Sequence, residues 1–151
     1  MNSHELNRQG RQHVEAELLR RGAVSVTSSS YGTRKTYLLV TNSSNDRTVE
    51  LRIKTKQKGR WHTTTDEAQP ANVPSNLTNI NSYWVFVDFS GPPKYWIVPD
   101  RWIRNDIHEA HKKYLQKHDG HRAENDNSSH HAIEESRLEQ WLNKWELLDI
   151  F

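Results

Sequence analysis

Tyr83-Trp-Val-Phe-Val-Asp-Phe89 is apolar at every position except Asp88. A strand shows its side chains alternately to two faces, so a strand apolar on both must be covered on both. This stretch predicts a central strand with a layer on either side of it. Ser90-Gly-Pro-Pro93 then turns the chain, and Lys94-Tyr-Trp-Ile-Val98 is expected to return antiparallel to it.

A second strand constrains the chemistry. In Arg47-Thr-Val-Glu-Leu-Arg-Ile-Lys-Thr-Lys-Gln-Lys-Gly-Arg60, Val49, Leu51, Ile53 and Thr55 fall on one face. Glu50, Arg52, Lys54 and Lys56 fall on the other. Such a strand sits on a core and presents a row of cations. From Arg34 to Arg60 eight Lys or Arg stand against two acids, whereas Glu134 to Asp149 carries five acids against two bases. The net charge of +2 is too small to imply nucleic acid by itself.

The other elements follow from periodicity. Leu6 to Arg21 reads as a helix with Gly10, Val14 and Leu18 in its buried stripe and Gly22 as its stop. Gly10 costs that helix about 1 kcal/mol relative to Ala, which a close approach to another backbone would offset. Val24–Thr27 and Tyr37–Thr41 read as strands, and the polar turn 42–46 joins the latter to the basic strand as a hairpin. Trp61–Thr64 can resume pairing after Gly59, and 66–82, with Pro70 and Pro74, reads as a loop. Asp100 opens a helix with Ile103, Ile107, Ala110 and Tyr114 inward. A last helix is expected from Glu134 to Leu148, with Leu138, Trp141, Leu142, Trp145 and Leu148 on one face.

These elements predict a single α/β domain over residues 1–151, its core about 6–98 and a helical accessory about 99–151. The architecture expected is a mixed central sheet of about five to six strands, with one N-terminal and two C-terminal helices. The absence of cysteine excludes disulfides and thiolate metal sites. The polar N-terminus lacks an apolar targeting region, and no apolar run approaches a membrane span. A soluble, cytoplasmic protein with no membrane partner is expected.

The apolar-x-apolar-x-Lys-Thr strand is reached by a hairpin from a Leu-rich strand and preceded by a helix ending in Arg-Gly. With Tyr83-Trp-Val-Phe-Val-Asp-Phe89, Gly91-Pro-Pro-Lys-Tyr-Trp-Ile-Val-Pro99 and Trp145-Glu-Leu-Leu148, it resembles the PD-(D/E)XK, or restriction-endonuclease-like, nuclease superfamily over roughly residues 6–98. The resemblance implies that fold, with a crossover helix between the third and fourth core strands. It also implies an active site made of an acid on the first helix, an Asp on the second core strand, and an acid two residues before a Lys. The acids would hold Mg²⁺ and the Lys would orient water and phosphate.

Lys54 matches that lysine. Arg52 stands at the acid two residues earlier, Tyr37 at the strand Asp, and Gly10-Arg11 at the helix acid. An Arg among carboxylates repels a metal. The leading expectation is therefore a nuclease-like scaffold that has lost catalysis, needs no cofactor and binds nucleic acid, DNA in the first place. The binding residues would be Arg11, Arg34, Lys35, Arg52, Lys54, Lys56, Lys58 and Arg60.

The alternative is a divalent-metal-dependent DNA endonuclease with relocated acids. Lys54 and Glu50 would then be catalytic, and Glu15, Glu17 and Asp88 would hold Mg²⁺. A third reading is a protein-interaction module using the acidic C-terminal helix or a sheet edge, and a homodimer is compatible with any of them. A charged strand face is also commonly solvated, or paired to carboxylates such as Glu15.

Two further features carry less. Six of the nine histidines lie between 108 and 131, with His108 and His111 at helical spacing suited to zinc, though no third ligand is evident. His130-His131 reads as a docking loop. Trp61, beside the basic strand, could stack on a base or belong to the core.

Overall fold

The computed structural model describes residues 2–31, 35–68, 81–117 and 130–151. Its order is α1 (Ser3–Arg20), β1 (Ser25–Tyr31), β2 (Lys35–Thr41), β3 (Thr48–Lys56), β4 (Trp61–Thr64), β5 (Ser82–Asp88), β6 (Lys94–Pro99), α2 (Asp100–Lys117) and β7 (His130–Ile133). Short 3₁₀ segments span Thr65–Glu67, Glu135–Trp141 and Trp145–Leu148. The main sheet is mixed and runs β1-β2-β3-β5-β6; β4 and β7 form a separate two-stranded ribbon. Adjacent strands are antiparallel except β3 and β5, which run parallel.

Parallel pairing demands a crossover. Among the described residues it is built from β4 and the Thr65–Glu67 turn rather than a helix. The remainder, 69–80, lies outside the described residues, as do 32–34 and 118–129.

The strand faces follow from alternation. On one face Val49, Leu51, Tyr83, Val85, Val87 and Ile97 pack with Val14 and Leu18 of α1. On the other, Trp84, Phe86, Trp96 and Val98 pack with Ile103 and Ile107 of α2. β5 is buried on both faces, as its sequence requires. Gly10 explains itself here: a methyl group at that position would overlap the Thr55 hydroxyl of β3, with Thr55 Cβ and Cγ2 only 3.0 Å away. Helix α1 lies so close to the sheet that only hydrogen fits.

The hairpin loop between β2 and β3 is held by Asn42. Its Oδ1 accepts from the Asp46 and Arg47 amides at 3.1 and 3.2 Å. The loop passes through the left-handed region at Asn45.

The expected last helix is not one helix. Leu138, Trp141, Trp145 and Leu148 are buried, while Leu147 is half-buried and Leu142 exposed, but the buried residues serve two cores. Leu138 and Trp141 join the α2-side core, while Trp145, Leu148 and Ile150 join the α1-side core. One helical stripe cannot face both sides of a sheet. The chain therefore breaks at Asn143, which has φ 55°, and passes around the β6 edge. Leu142 bridges to Trp96, and the Asn143 amide donates to the Tyr95 carbonyl at 2.9 Å.

Trp61–Thr64 does resume pairing, but with His130–Ile133 rather than with the main sheet. No helix among the described residues is long and apolar enough to cross a membrane.

Candidate functional site

β4 and the Thr65–Glu67 turn fold back over the cationic face of β3. The Trp61 indole donates to the Val87 carbonyl at 3.0 Å and pins the return. Trp61 stands edge-on to Phe86 and Trp96 and is buried, so it is core and not a base-stacking platform. The expected row of cations is thereby covered at Arg52 and Lys56.

Arg52 is only 7% exposed. Its guanidinium lies 4.4 Å from the centre of the Trp84 ring, and Nη2 donates to Glu67 Oε1 at 2.8 Å. Glu67 Oε2 accepts from Arg104 Nη1 at 2.6 Å. Arg104 Nε in turn donates to Asp100 Oδ1 at 2.9 Å, and Asp100 Oδ1 accepts the Trp84 indole N–H at 2.7 Å. Among the described residues, two arginines and two carboxylates thus balance one another around one indole. Burial works against the charge on Arg104, but Asp100 and Glu67 outweigh it and hold the guanidinium protonated more firmly than usual.

Lys56 forms the second cluster. Its ammonium donates to the Gly59 carbonyl at 2.8 Å and to Glu135 Oε1 at 2.9 Å, and lies 3.8 Å from Asp88 Oδ2. It also sits 4.6 Å from the centre of the Trp61 ring. Burial pushes the Asp88 carboxyl up. The Ser90 amide, the Glu135 side chain, the Ser90 hydroxyl and the Lys56 charge together bring it below the usual carboxylate range.

Lys54, between these clusters, is half-exposed. Its Nζ donates to the His62 carbonyl at 3.4 Å and lies 5.9 Å from the Trp84 ring centre. Lys58 and Arg60 are exposed in the turn after β3. Arg60 makes only a 3.7 Å surface contact with Glu134, a class of pair worth about 0–1 kcal/mol.

The remaining expected residues do not converge on Lys54. Arg11 is half-buried on α1, which packs on the opposite face of the sheet. Lys35 opens β2 opposite Tyr31, and Arg34 lies outside the described residues. Glu15 and Glu17 also belong to α1. Glu15 accepts from the Ser28 hydroxyl at 3.4 Å; Glu17 pairs with Arg20 and Arg21. The Arg20 bond, against a smaller cost of burial, draws the Glu17 carboxyl down.

Glu50 shares a face with Lys54 but stands four residues away, about 13 Å along the strand at ~3.3 Å per residue. The sheet therefore separates Glu15 and Glu17 from Lys54, and strand length separates Glu50 from it. Asp88 meets Lys56 instead. No group of three His, Asp or Glu among the described residues is arranged to hold a metal.

Glu67, Arg104 and Glu135 carried no sequence signal sufficient to place them. Glu67 lies in a stretch read as loop. The one signal that could have flagged a member of this network is the Asp100–Arg104 spacing, i and i+4 on a helix, which suits an ion pair.

Compared with known proteins, the chain matches no family model, no curated protein and no solved structure.

Proposed function

We propose that this protein is a nuclease-like scaffold that binds DNA without cutting it, through a rim of cations at the C-terminal end of β3. One observation carries the reading. Arg52 occupies the position where the resemblance expects a metal-binding acid, and it is buried against Glu67. A guanidinium locked at that point disfavours a divalent cation beside Lys54.

The order α1, antiparallel β1-β2-β3, then β5 parallel to β3 supports the reading, while the crossover, among the described residues β4 and a 3₁₀ turn, departs from the helix that the resemblance implies. Tyr37 lies directly across from Arg52, so the two positions where the family pattern expects strand acids are neighbours here. Neither is acidic. Arg52 and Lys56 are neutralised internally and Lys54 is engaged at the His62 carbonyl and beside the Trp84 ring, which leaves Lys58 and Arg60 as the exposed phosphate-facing pair. Exposed cations of this kind bind phosphate as a charge and not as a sequence reader.

A second reading, metal-dependent cleavage by relocated acids, has one observation in its favour. Asp88 and Glu135 come together at Lys56, giving two carboxylates and a lysine at the end of β5. Incubation of supercoiled plasmid with Mg²⁺ or Mn²⁺ separates the two. The binding reading expects retarded plasmid and no nicked product. Nicking that is lost in Asp88→Asn or Lys56→Ala, with folding retained, would overturn it in favour of the enzyme.

A further inference from the structure

The main sheet has two edges, and they are treated differently. The β6 edge is closed. It begins at Lys94 and ends at Pro99, Leu142 bridges to Trp96, and the Asn143 amide occupies the Tyr95 carbonyl. Each is a known way of stopping a strand edge from pairing with another chain.

β1 has none of these devices. It pairs with β2 along its whole length, from Ser25↔Thr41 to Tyr31↔Lys35. Among the described residues no strand pairs with its outer side. Its sequence, Ser-Val-Thr-Ser-Ser-Ser-Tyr, contains no charge, no proline and no glycine, in a chain where 26% of residues are charged. Ser25, Thr27 and Ser28 are exposed. Two large apolar side chains lie exposed where β1 begins: Val24, at 63%, and Leu19 in the last turn of α1, at 53%.

We propose that the outer edge of β1 pairs antiparallel with β1 of a second copy, so that two five-stranded sheets continue as one ten-stranded sheet. The strand suits itself as a partner. Turned antiparallel about Ser28, it sets Ser25 against Tyr31, Val26 against Ser30, and Thr27 against Ser29. No charge faces a like charge, so the net positive charge of each copy is not concentrated at the join. Main-chain hydrogen bonds supply the attraction. The contact is small by the standards of permanent dimers, and the dimer it forms is reversible. Because the edge is neutral, its association resists added salt, unlike phosphate binding at the Lys58–Arg60 turn.

Sedimentation velocity on the full chain across a concentration series tests this, with backbone amide exchange read at both ends of the series. The expected result is a monomer–dimer equilibrium insensitive to salt, in which amides of residues 25–31 gain protection as dimer forms. Thr27→Lys places cations near the two-fold axis on an exposed position. It should leave the circular dichroism unchanged and abolish the dimer, while Lys58→Ala with Arg60→Ala should leave the dimer intact. A wild-type chain that stays monomeric up to about 1 mM overturns the proposal, that being the weak limit of measurable association. So does a dimer that forms without protecting 25–31, or one that survives Thr27→Lys.

Discussion

Glu67→Ala tests whether Arg52 is an internal structural cation. Both carboxylate oxygens of Glu67 are in use, at 2.8 Å to Arg52 and 2.6 Å to Arg104. The Arg104 side chain, 18% exposed, keeps Asp100 when Glu67 is removed. Arg52 keeps only the face of Trp84, and its Nη1 already has no partner among the described residues. Removing one member of a buried pair typically costs about 3–5 kcal/mol, because a charge is left desolvated and uncompensated. The partial rescue of Arg104 argues for the lower end, about 3 kcal/mol.

With a urea slope of about 2 kcal/mol per molar, the unfolding midpoint should fall by about 1.5 M. The double change Arg52→Met with Glu67→Met removes both charges and fills similar volume. It should recover most of the loss, since apolar replacement of a buried pair is often neutral. A midpoint shift under about 0.5 M for Glu67→Ala would mean that the pair behaves like an exposed one, worth about 1 kcal/mol or less. A double variant as unstable as the sum of its singles would equally refute the coupling.

Gly10→Ala should lower the melting temperature by several degrees. The ~1 kcal/mol gained in helix propensity is outweighed by overlap with Thr55, for which about 1–3 kcal/mol is usual. Thr55→Ala in the same chain should restore part of the loss. Acid should also destabilise the fold through Asp88. Its folded carboxyl titrates below the ordinary value, so the unfolded chain binds the proton first. The stabilisation is complete above the ordinary value and disappears as pH falls through the folded one. Urea midpoints measured below about pH 4 should therefore fall less steeply with acid in Asp88→Asn than in wild type.

Local pattern told much about this fold. Alternation in β3 and β5 assigned each side chain to its face, and Gly10 marked a helix pressed against the sheet. What stayed hidden depended on contacts distant in sequence. The row Arg52, Lys54, Lys56 was visible, but its neutralising partners were not. Glu67 sits in a 3₁₀ turn with no hydrophobic period, and Glu135 lies 79 residues beyond Lys56. The same holds for β4, whose partner strand His130–Ile133 begins with the His130-His131 pair that read as a docking loop.

The last helix failed for a different reason. Leu138, Trp141, Trp145 and Leu148 have helical spacing, yet the two halves of that stripe are needed on opposite sides of the sheet. Periodicity counts apolar residues without saying which core each must reach. At the candidate site, the sequence singled out Lys54 and, two residues before it, Arg52. The burial of Arg52, which changes its role from phosphate contact to structural cation, was not legible.

The salt dependence of DNA binding is the decisive measurement for the cation rim. Fluorescence anisotropy with a duplex oligonucleotide, repeated from low to moderate salt, gives the slope of log affinity against log salt concentration. Each neutralised phosphate contributes about 0.9 to that slope. Measurable binding at low salt is expected, with a slope near −2 for Lys58 and Arg60. In Lys58→Ala with Arg60→Ala the slope should fall by about 2, to near zero, at unchanged stability. Absence of low-salt binding, or a slope unaltered by that double change, would contradict the reading.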